Sequence, residues 1–367
     1  MHIVLSSIYH VSAYLGGNEQ YAHHLALGLV RAGHQVSYLT AIADNTKSFP
    51  YRLVIKPATF VAGKPLLALP WLSTLSGLSA DIFHASGSGL PLLSVAAYYR
   101  FRHVPTVLTY QGDTNPQTPW FKLGSYIENC GIHHLFDQII TTSPYYEQLL
   151  QKRWPNNQIR FVPMMLAEHF SQKLPNKISV RKKLGISSQT KLVLFVGALS
   201  SHQYYKGVQV LLQAVQTLPK HYVVHIIGEG DQKAEYQNIA KQMGLEKRVV
   251  FPSHISNKDL LSYYLAADIF TLPSTSNSEG FGLVLLEAMA CQTPTITTTI
   301  IGSAPWFQKE QITQLIPPNN PQALAKAIIK NMNKPDKNRI KRACSFARSL
   351  TTQNMVQKTL KLYQDLL

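Results

Sequence analysis

Two carboxylates, Glu279 and Glu287, stand eight residues apart around a glycine corner, Gly280-Phe281-Gly282. An apolar run, Ala267-Asp268-Ile269-Phe270-Thr271-Leu272-Pro273, and a polar stretch precede the corner. From Leu283 to Met289 the residues are helix formers. The order reads as strand, glycine turn, helix. A helix that starts at such a turn has free N–H groups, which with the helix dipole attract anions and phosphates above all. Eight residues of helix span ~12 Å, the reach from a sugar across a diphosphate to a ribose. The chemistry this favours is one carboxylate for each end of such a molecule. The amides of Phe281, Gly282 and Leu283 then hold the phosphates. The plainer alternative for Glu287 is a helical glutamate facing solvent, where that side chain usually sits.

The elements that must position these groups read as a parallel α/β architecture. Ile3–Ser6 has the short apolar run of a central parallel strand. Leu15-Gly16-Gly17-Asn18-Glu19 then opens a helix that Gly33 closes, and Gln35–Thr40 is the next strand. Glycines where the first strand meets its helix mark a crevice at the carboxyl end of a sheet, where open α/β folds bind ligands. A tight turn with no ligand is the other reading. Further strands are expected at Asp81–His84, Pro105–Tyr110, Gln138–Thr142 and Arg160–Val162. Residues 163–180 lack periodicity and are expected to link two domains. A second set of elements follows: a strand at Leu192–Gly197, a loop ending at Lys206-Gly207 and a helix over Val208–Thr217. Next come a strand at Tyr222–Ile227, a Gly228-Glu229-Gly230 turn, a strand at Val249–Phe251 and a helix over Leu260–Ala267. Thr293–Thr298 is a β-branched strand, followed by Ile301-Gly302-Ser303, and Pro321–Asn331 is a helix.

From Ser278 to Cys291 the sequence resembles the E-x7-E signature of retaining family-4 glycosyltransferases with the GT-B fold. Gly16-Gly17 and Lys206-Gly207 are similar to two further motifs of that family. The resemblance implies two doubly wound Rossmann-like domains facing across a cleft, residues 1–170 and 171–351, with a C-terminal helix, 352–367, packing back on the first. It implies that Glu279 contacts the donor sugar and Glu287 the nucleotide ribose, and that Lys206 neutralises charge on the leaving diphosphate. Gly17, His254, Gly280, Phe281, Gly282 and Leu283 complete the donor side. Gly16, Gln111 and Asp113 fall on the acceptor side. Two positions depart from the pattern. Gln111 stands where many members have histidine, and glutamine cannot carry a proton at neutral pH. Ala198 stands where many have arginine.

Composition narrows the partners. Lys and Arg number 35 against 19 acids, a net charge of +16. Up to residue 175 there are twelve cations against eight anions, net +4. After it there are twenty-three against eleven, net +12. Such a balance suits an anionic partner: phosphorylated substrate, nucleic acid or an anionic membrane face. The usual meaning of a cationic run such as 326–361 is a solvated helical face. Three separated cysteines, Cys130, Cys291 and Cys344, form no disulfide framework and point to a reducing compartment. No apolar run reaches the ~18 residues of a spanning helix, and the start reads as a strand rather than a signal peptide. No D-x-D, zinc spacing, Walker A loop or nucleic-acid motif occurs.

Together with the absent D-x-D, the resemblance implies a retaining, metal-independent hexosyltransferase. That enzyme uses a UDP- or GDP-hexose as co-substrate, needs no other cofactor and binds no nucleic acid. The acceptor is expected to be a glycan or a lipid-linked glycan of bacterial surface polysaccharide or glycolipid synthesis. The expected location is cytoplasmic, peripheral on the inner face of the plasma membrane. The aromatics Trp71, Tyr98, Tyr99, Trp120 and Phe121 serve either membrane contact or the core. The alternatives are a degenerate nucleotide-sugar binder, to which Gln111 and Ala198 point, and another GT-B enzyme such as a sugar-nucleotide epimerase or a phosphorylase.

Overall fold

The computed structural model describes residues 1–367 except 15, 57–58, 62–63, 68–72, 88–89, 113–133, 173 and 253–254. It divides into two compact units, Met1–Met165 with Thr352–Leu367, and Leu166–Thr351.

The first unit is built on β1 (His2–Tyr9), β2 (Gln35–Ile42), β3 (Arg52–Ile55), β4 (Thr59–Val61), β5 (Lys64–Leu67), β6 (Ile82–Ser86), β7 (Thr106–Tyr110), β8 (Gln138–Thr141) and β9 (Gln158–Phe161). Seven of these form one parallel sheet, in the order β3-β2-β1-β6-β7-β8-β9; β4 and β5 pair antiparallel apart from it. Central strands such as β6 are buried along their whole length, as expected where helices cover both faces. The Gly17–Arg31 helix repeats apolar residues at helical spacing and buries Tyr21, Ala22, Leu25, Ala26 and Leu29. It ends as its sequence suggests: Gly33 takes φ 84°, with Gly33 N donating to Val30 O and His34 N to Leu29 O.

The Thr352–Gln364 helix belongs to this unit and lies against the Gly17–Arg31 helix. A Cβ at Gly28 would sit 2.3 Å from Val356 Cγ2, so the glycine sets how closely the two helices approach. Tyr363 reaches the sheet, its hydroxyl hydrogen-bonded to Nδ1 of the fully buried His84, whose Nε2 meets Thr109 Oγ1 at 2.7 Å. Burial pushes His84 down to about 3, so the ring is neutral and both nitrogens are satisfied.

The second unit carries β10 (Lys191–Val196), β11 (Tyr222–Ile227), β12 (Val249–Val250), β13 (Ile269–Leu272), β14 (Thr295–Thr298) and β15 (Gln314–Ile316) in one parallel sheet ordered β12-β11-β10-β13-β14-β15. Its helices start on the caps their sequences supply: Asn176, Ser256, Asn320 and Asp336 each accept a backbone N–H of the first turn. Both units are therefore doubly wound α/β folds.

Residues 163–180, expected to link two domains, contain the boundary between the units, and they are folded: Met164, Met165, Leu166 and Phe170 are buried, and Lys177–Lys183 is a helix. Their apolar residues pack without helical or strand period, so the pattern had nothing to report. Tyr99 is 1% exposed and donates to Leu78 O, so the core reading holds for it. Ala304–Glu310 is a helix that no sequence motif announced. Trp71, Trp120, Phe121 and Cys130 lie outside the described residues.

Candidate functional site

In the second sheet the strand order reverses between β10 and β13. Loops that leave two adjacent parallel strands in opposite directions open a crevice at their carboxyl ends, the usual ligand site of such sheets. Here those loops are the Gly197–Gly207 and Pro273–Gly282 segments, the two stretches singled out by their sequence.

The first loop ends in a 3-10 turn, Ser201–Lys206, and Gly207 caps the Val208–Thr217 helix with φ 82°. A Cβ there would sit 2.0 Å from Pro273 O. No other residue fits, because both the left-handed backbone and the contact with the second loop demand glycine. Thr275 N donates to Tyr205 O at 2.7 Å and ties the loops together. This close approach brings Lys206 to Glu279: Nζ donates to Oε2 at 2.7 Å, with the side chains 13% and 11% exposed.

Glu279 begins the corner. Of its two glycines, Gly282 alone has positive φ, at 80°. It caps the Leu283–Ala290 helix without a side-chain cap. The corner is held from the neighbouring segment, where Gly302 N donates to Glu279 O at 2.9 Å and Ser303 Oγ to Phe281 O at 2.6 Å. Thr298 Oγ1 likewise holds Ser274 O at 2.7 Å. The Gly302-Ser303 pair noted in the sequence therefore supports the corner. The Phe281 ring is 4% exposed and packs edge-on against Trp306 and Phe307, so only its backbone serves the corner.

Glu287 is half-buried on the same helix, between the fully buried Leu286 and Ala288. It does not face open solvent. Its Oε2 accepts from Tyr264 Oη at 2.6 Å. Burial raises its pKa to about 7, against the opposing pull of the Tyr264 hydrogen bond. Sequence reasoning missed Tyr264, whose position mid-helix carries no motif.

In the first unit the order reverses between β1 and β6, and Gly16, Gly17 and Asn18 follow β1 at the start of its helix. Ser86 Oγ donates to Asn18 Oδ1 at 2.8 Å. Gly17 opens the helix and Gly16 caps it. A Cβ on Gly16 would sit 2.3 Å from Glu19 Oε2, so this glycine makes room for the Glu19 carboxylate. Glu19 is 6% exposed, and burial raises it to about 7, opposed by hydrogen bonds with its own amide, Asn18 and the Gly16 amide. It is a buried acid at the sheet reversal that sequence reasoning passed over. A glutamate three residues after the cap position was the available signal. Gln111 follows β7, and its Nε2 is buried with no hydrogen-bond partner among the described residues. Asp113 and His254 lie outside the described residues.

Comparison with known proteins gives the same family from both units. The chain is 33% identical over 197 residues to D-inositol 3-phosphate glycosyltransferase of Corynebacterium glutamicum, covering 50% of this chain and 46% of that protein. It is 34% identical over 152 residues to the putative teichuronic acid biosynthesis glycosyltransferase TuaC of Bacillus subtilis, covering 41% and 36%. The chain thus spans less than half the length of these curated relatives. The crystal structure of Anabaena HepE in complex with UDP-glucose superposes with a TM-score of 0.82 at 18% identity, covering 100% of both chains. This likeness establishes the GT-B fold. The profile of "Glycosyltransferase Family 4" matches residues 15–165 and that of "Glycosyl transferases group 1" residues 176–344. With a doubly wound unit under each match, the chain belongs to the family-4 glycosyltransferases of group 1, with the GT-B fold.

Proposed function

We propose that this glycosyltransferase moves a hexose from a nucleotide-diphosphate sugar to an acceptor hydroxyl, with retention of configuration and without a metal. The observation that carries the reading is the 2.7 Å pair of Lys206 and Glu279 at the start of the helix that bears Glu287. A cation and the Glu279 carboxylate stand at the corner, a helix start with no side-chain cap follows, and Glu287 lies further along that helix. They match a diphosphate with a hydroxyl-rich group at each end.

In this reading Glu279 accepts from the sugar hydroxyls and Glu287 from the ribose. Gly17, Gly280 and His254 also belong to the donor side, the last on family resemblance. The C1–O bond to the diphosphate breaks and negative charge grows on the leaving oxygen. Lys206, the amides of Phe281, Gly282 and Leu283 and the helix dipole stabilise that charge. The acceptor oxygen bonds to C1, and its proton passes to the leaving phosphate. Most of the acceleration then comes from fixed charges aimed at developing charge, as is usual in sites of this kind. The acceptor side is assigned to Gly16, Gln111 and Asp113. The unpartnered Nε2 of Gln111 is a donor awaiting an acceptor atom.

HepE, crystallised with UDP-glucose, supports a UDP-hexose donor. The relative named for D-inositol 3-phosphate supports a hydroxyl acceptor, and the one named for teichuronic acid biosynthesis supports a role in bacterial polysaccharide synthesis. We place the acceptor on a lipid-linked glycan and the protein on the cytoplasmic face of the membrane. The net charge of +16 favours an anionic surface. Among the described residues no helix is long and apolar enough to cross a membrane.

The test is calorimetric titration with UDP-, GDP- and ADP-hexoses, followed by the same titration of Glu287→Ala. One nucleotide series should bind, and the variant should bind it more weakly. Unchanged affinity would remove Glu287 from the ribose. A transferred sugar of inverted configuration would remove the retaining mechanism.

A further inference from the structure

Tyr264 lies outside the glycine corner, yet its hydroxyl makes the hydrogen bond that Glu287 Oε2 receives. The tyrosine is 0% exposed. Its ring packs against Phe170 at 5.8 Å and Phe270 at 5.6 Å between centroids. Its backbone oxygen accepts from Thr293 Oγ1 at 2.7 Å. A phenol held this way has no freedom to seek water, so its proton goes to Glu287 or goes unmatched. No described residue donates to Glu287 Oε1.

We infer that Tyr264 is a positioning residue for donor binding: it occupies one oxygen of Glu287, fixes the side chain, and leaves the other oxygen to receive a ligand hydroxyl. The inference rests on the donor reading above. It makes binding a proton-linked event. A hydroxyl donates to a carboxylate but competes with the proton of a carboxylic acid. Burial holds Glu287 near neutrality, at about 7, and the Tyr264 bond pulls it down. Affinity therefore rises with pH through that region, and binding releases a proton. The titratable groups facing Glu287 are Tyr264 from the Asn257–Ala266 helix and Cys291, one turn along its own helix. Burial raises both of them, so neither titrates in this range. Arg348 and Cys344, from the Lys337–Ser349 helix, face Cys291.

The experiment is calorimetric binding of UDP, GDP and ADP between about pH 6 and pH 8. It compares the full chain with Tyr264→Phe, Glu287→Ala and the double variant. The wild type should bind more tightly as pH rises. Tyr264→Phe should weaken binding about tenfold near neutrality and move the midpoint to higher pH. In the Glu287→Ala background the same change should do nothing further. Equal weakening in both backgrounds would mean that Tyr264 acts on the fold and not through Glu287. A wild-type midpoint in Tyr264→Phe would equally overturn the inference. Wild-type nucleotide affinity in Glu287→Ala, or no binding of any of the three nucleotides, would instead defeat the donor reading and take the role of Tyr264 with it.

Discussion

Lys206 Nζ and Glu279 Oε2 stand 2.7 Å apart, on side chains about one-tenth exposed that are separated by seventy-three positions in sequence. Water is largely excluded, so removing either partner strands the other as an uncompensated charge. Lys206→Ala should lower kcat about 10²–10³-fold if the ammonium meets the leaving diphosphate. It should also cost about 1–3 kcal/mol of stability. Steady-state kinetics beside a denaturant titration separates the two effects. Unchanged kcat with lowered stability would leave the pair a purely structural tie.

The two acids raised to about 7, Glu19 and Glu287, make a signed prediction. Each loses its proton in the unfolded chain near the ordinary value of 4.5 but keeps it longer when folded. Their contribution is complete below 4.5 and is lost as pH rises towards 7, on the order of 3 kcal/mol for each group. Glu19→Gln and Glu287→Gln should each flatten the fall in stability across that interval. Denaturant midpoints measured at several pH values would show it. Curves parallel to wild type would mean that the folded acids titrate normally.

Gly207 and Gly33 share a left-handed backbone, at φ 82° and 84°, but not surroundings. Around Gly33 nothing lies within 4 Å of a Cβ, whereas at Gly207 the Cβ meets Pro273 O at 2.0 Å. Gly33→Ala should cost only the backbone strain, about 1–2 kcal/mol. Gly207→Ala should cost clearly more and should weaken nucleotide binding, because the loop that carries Lys206 must move. Equal Tm losses for the two variants would contradict the close contact.

Gly28→Ala should destabilise the first unit by wedging the Thr352–Gln364 helix away from the Gly17–Arg31 helix. Overpacking of this kind costs about 1–3 kcal/mol. Val356→Ala should recover much of that loss in the double variant. Simple additivity would place the strain elsewhere.

How much of this was legible in the sequence varies with the kind of signal. Buried parallel strands are continuous apolar runs, so β1, β10, β11 and β13 stood out. The short β3 and β15 have mixed polarity and did not. The corner announced itself because Gly282 is a backbone requirement written in residue type. Its supports, Gly302 N and Ser303 Oγ, act through geometry that only the folded chain supplies. Glu287 shows the limit most clearly. One glutamate among leucines looks solvated until Tyr264, twenty-three positions earlier, is seen at its oxygen. Glu19 is the converse: the cap spacing was present, but its burial depends on β1 and β6 lying side by side.

Residues 352–364 complete the sheet-and-helix unit that residue 2 begins, and His84 waits 279 positions for its tyrosine. During synthesis on a ribosome, the second unit is therefore the one whose residues, 166–351, emerge as an unbroken block. It is free to fold while the first still lacks a helix. The order of maturation should run against the order of translation. Nascent chains stalled on a tunnel-spanning linker appended after Thr351 should protect the corner from protease while leaving the Gly17–Arg31 helix open to cleavage.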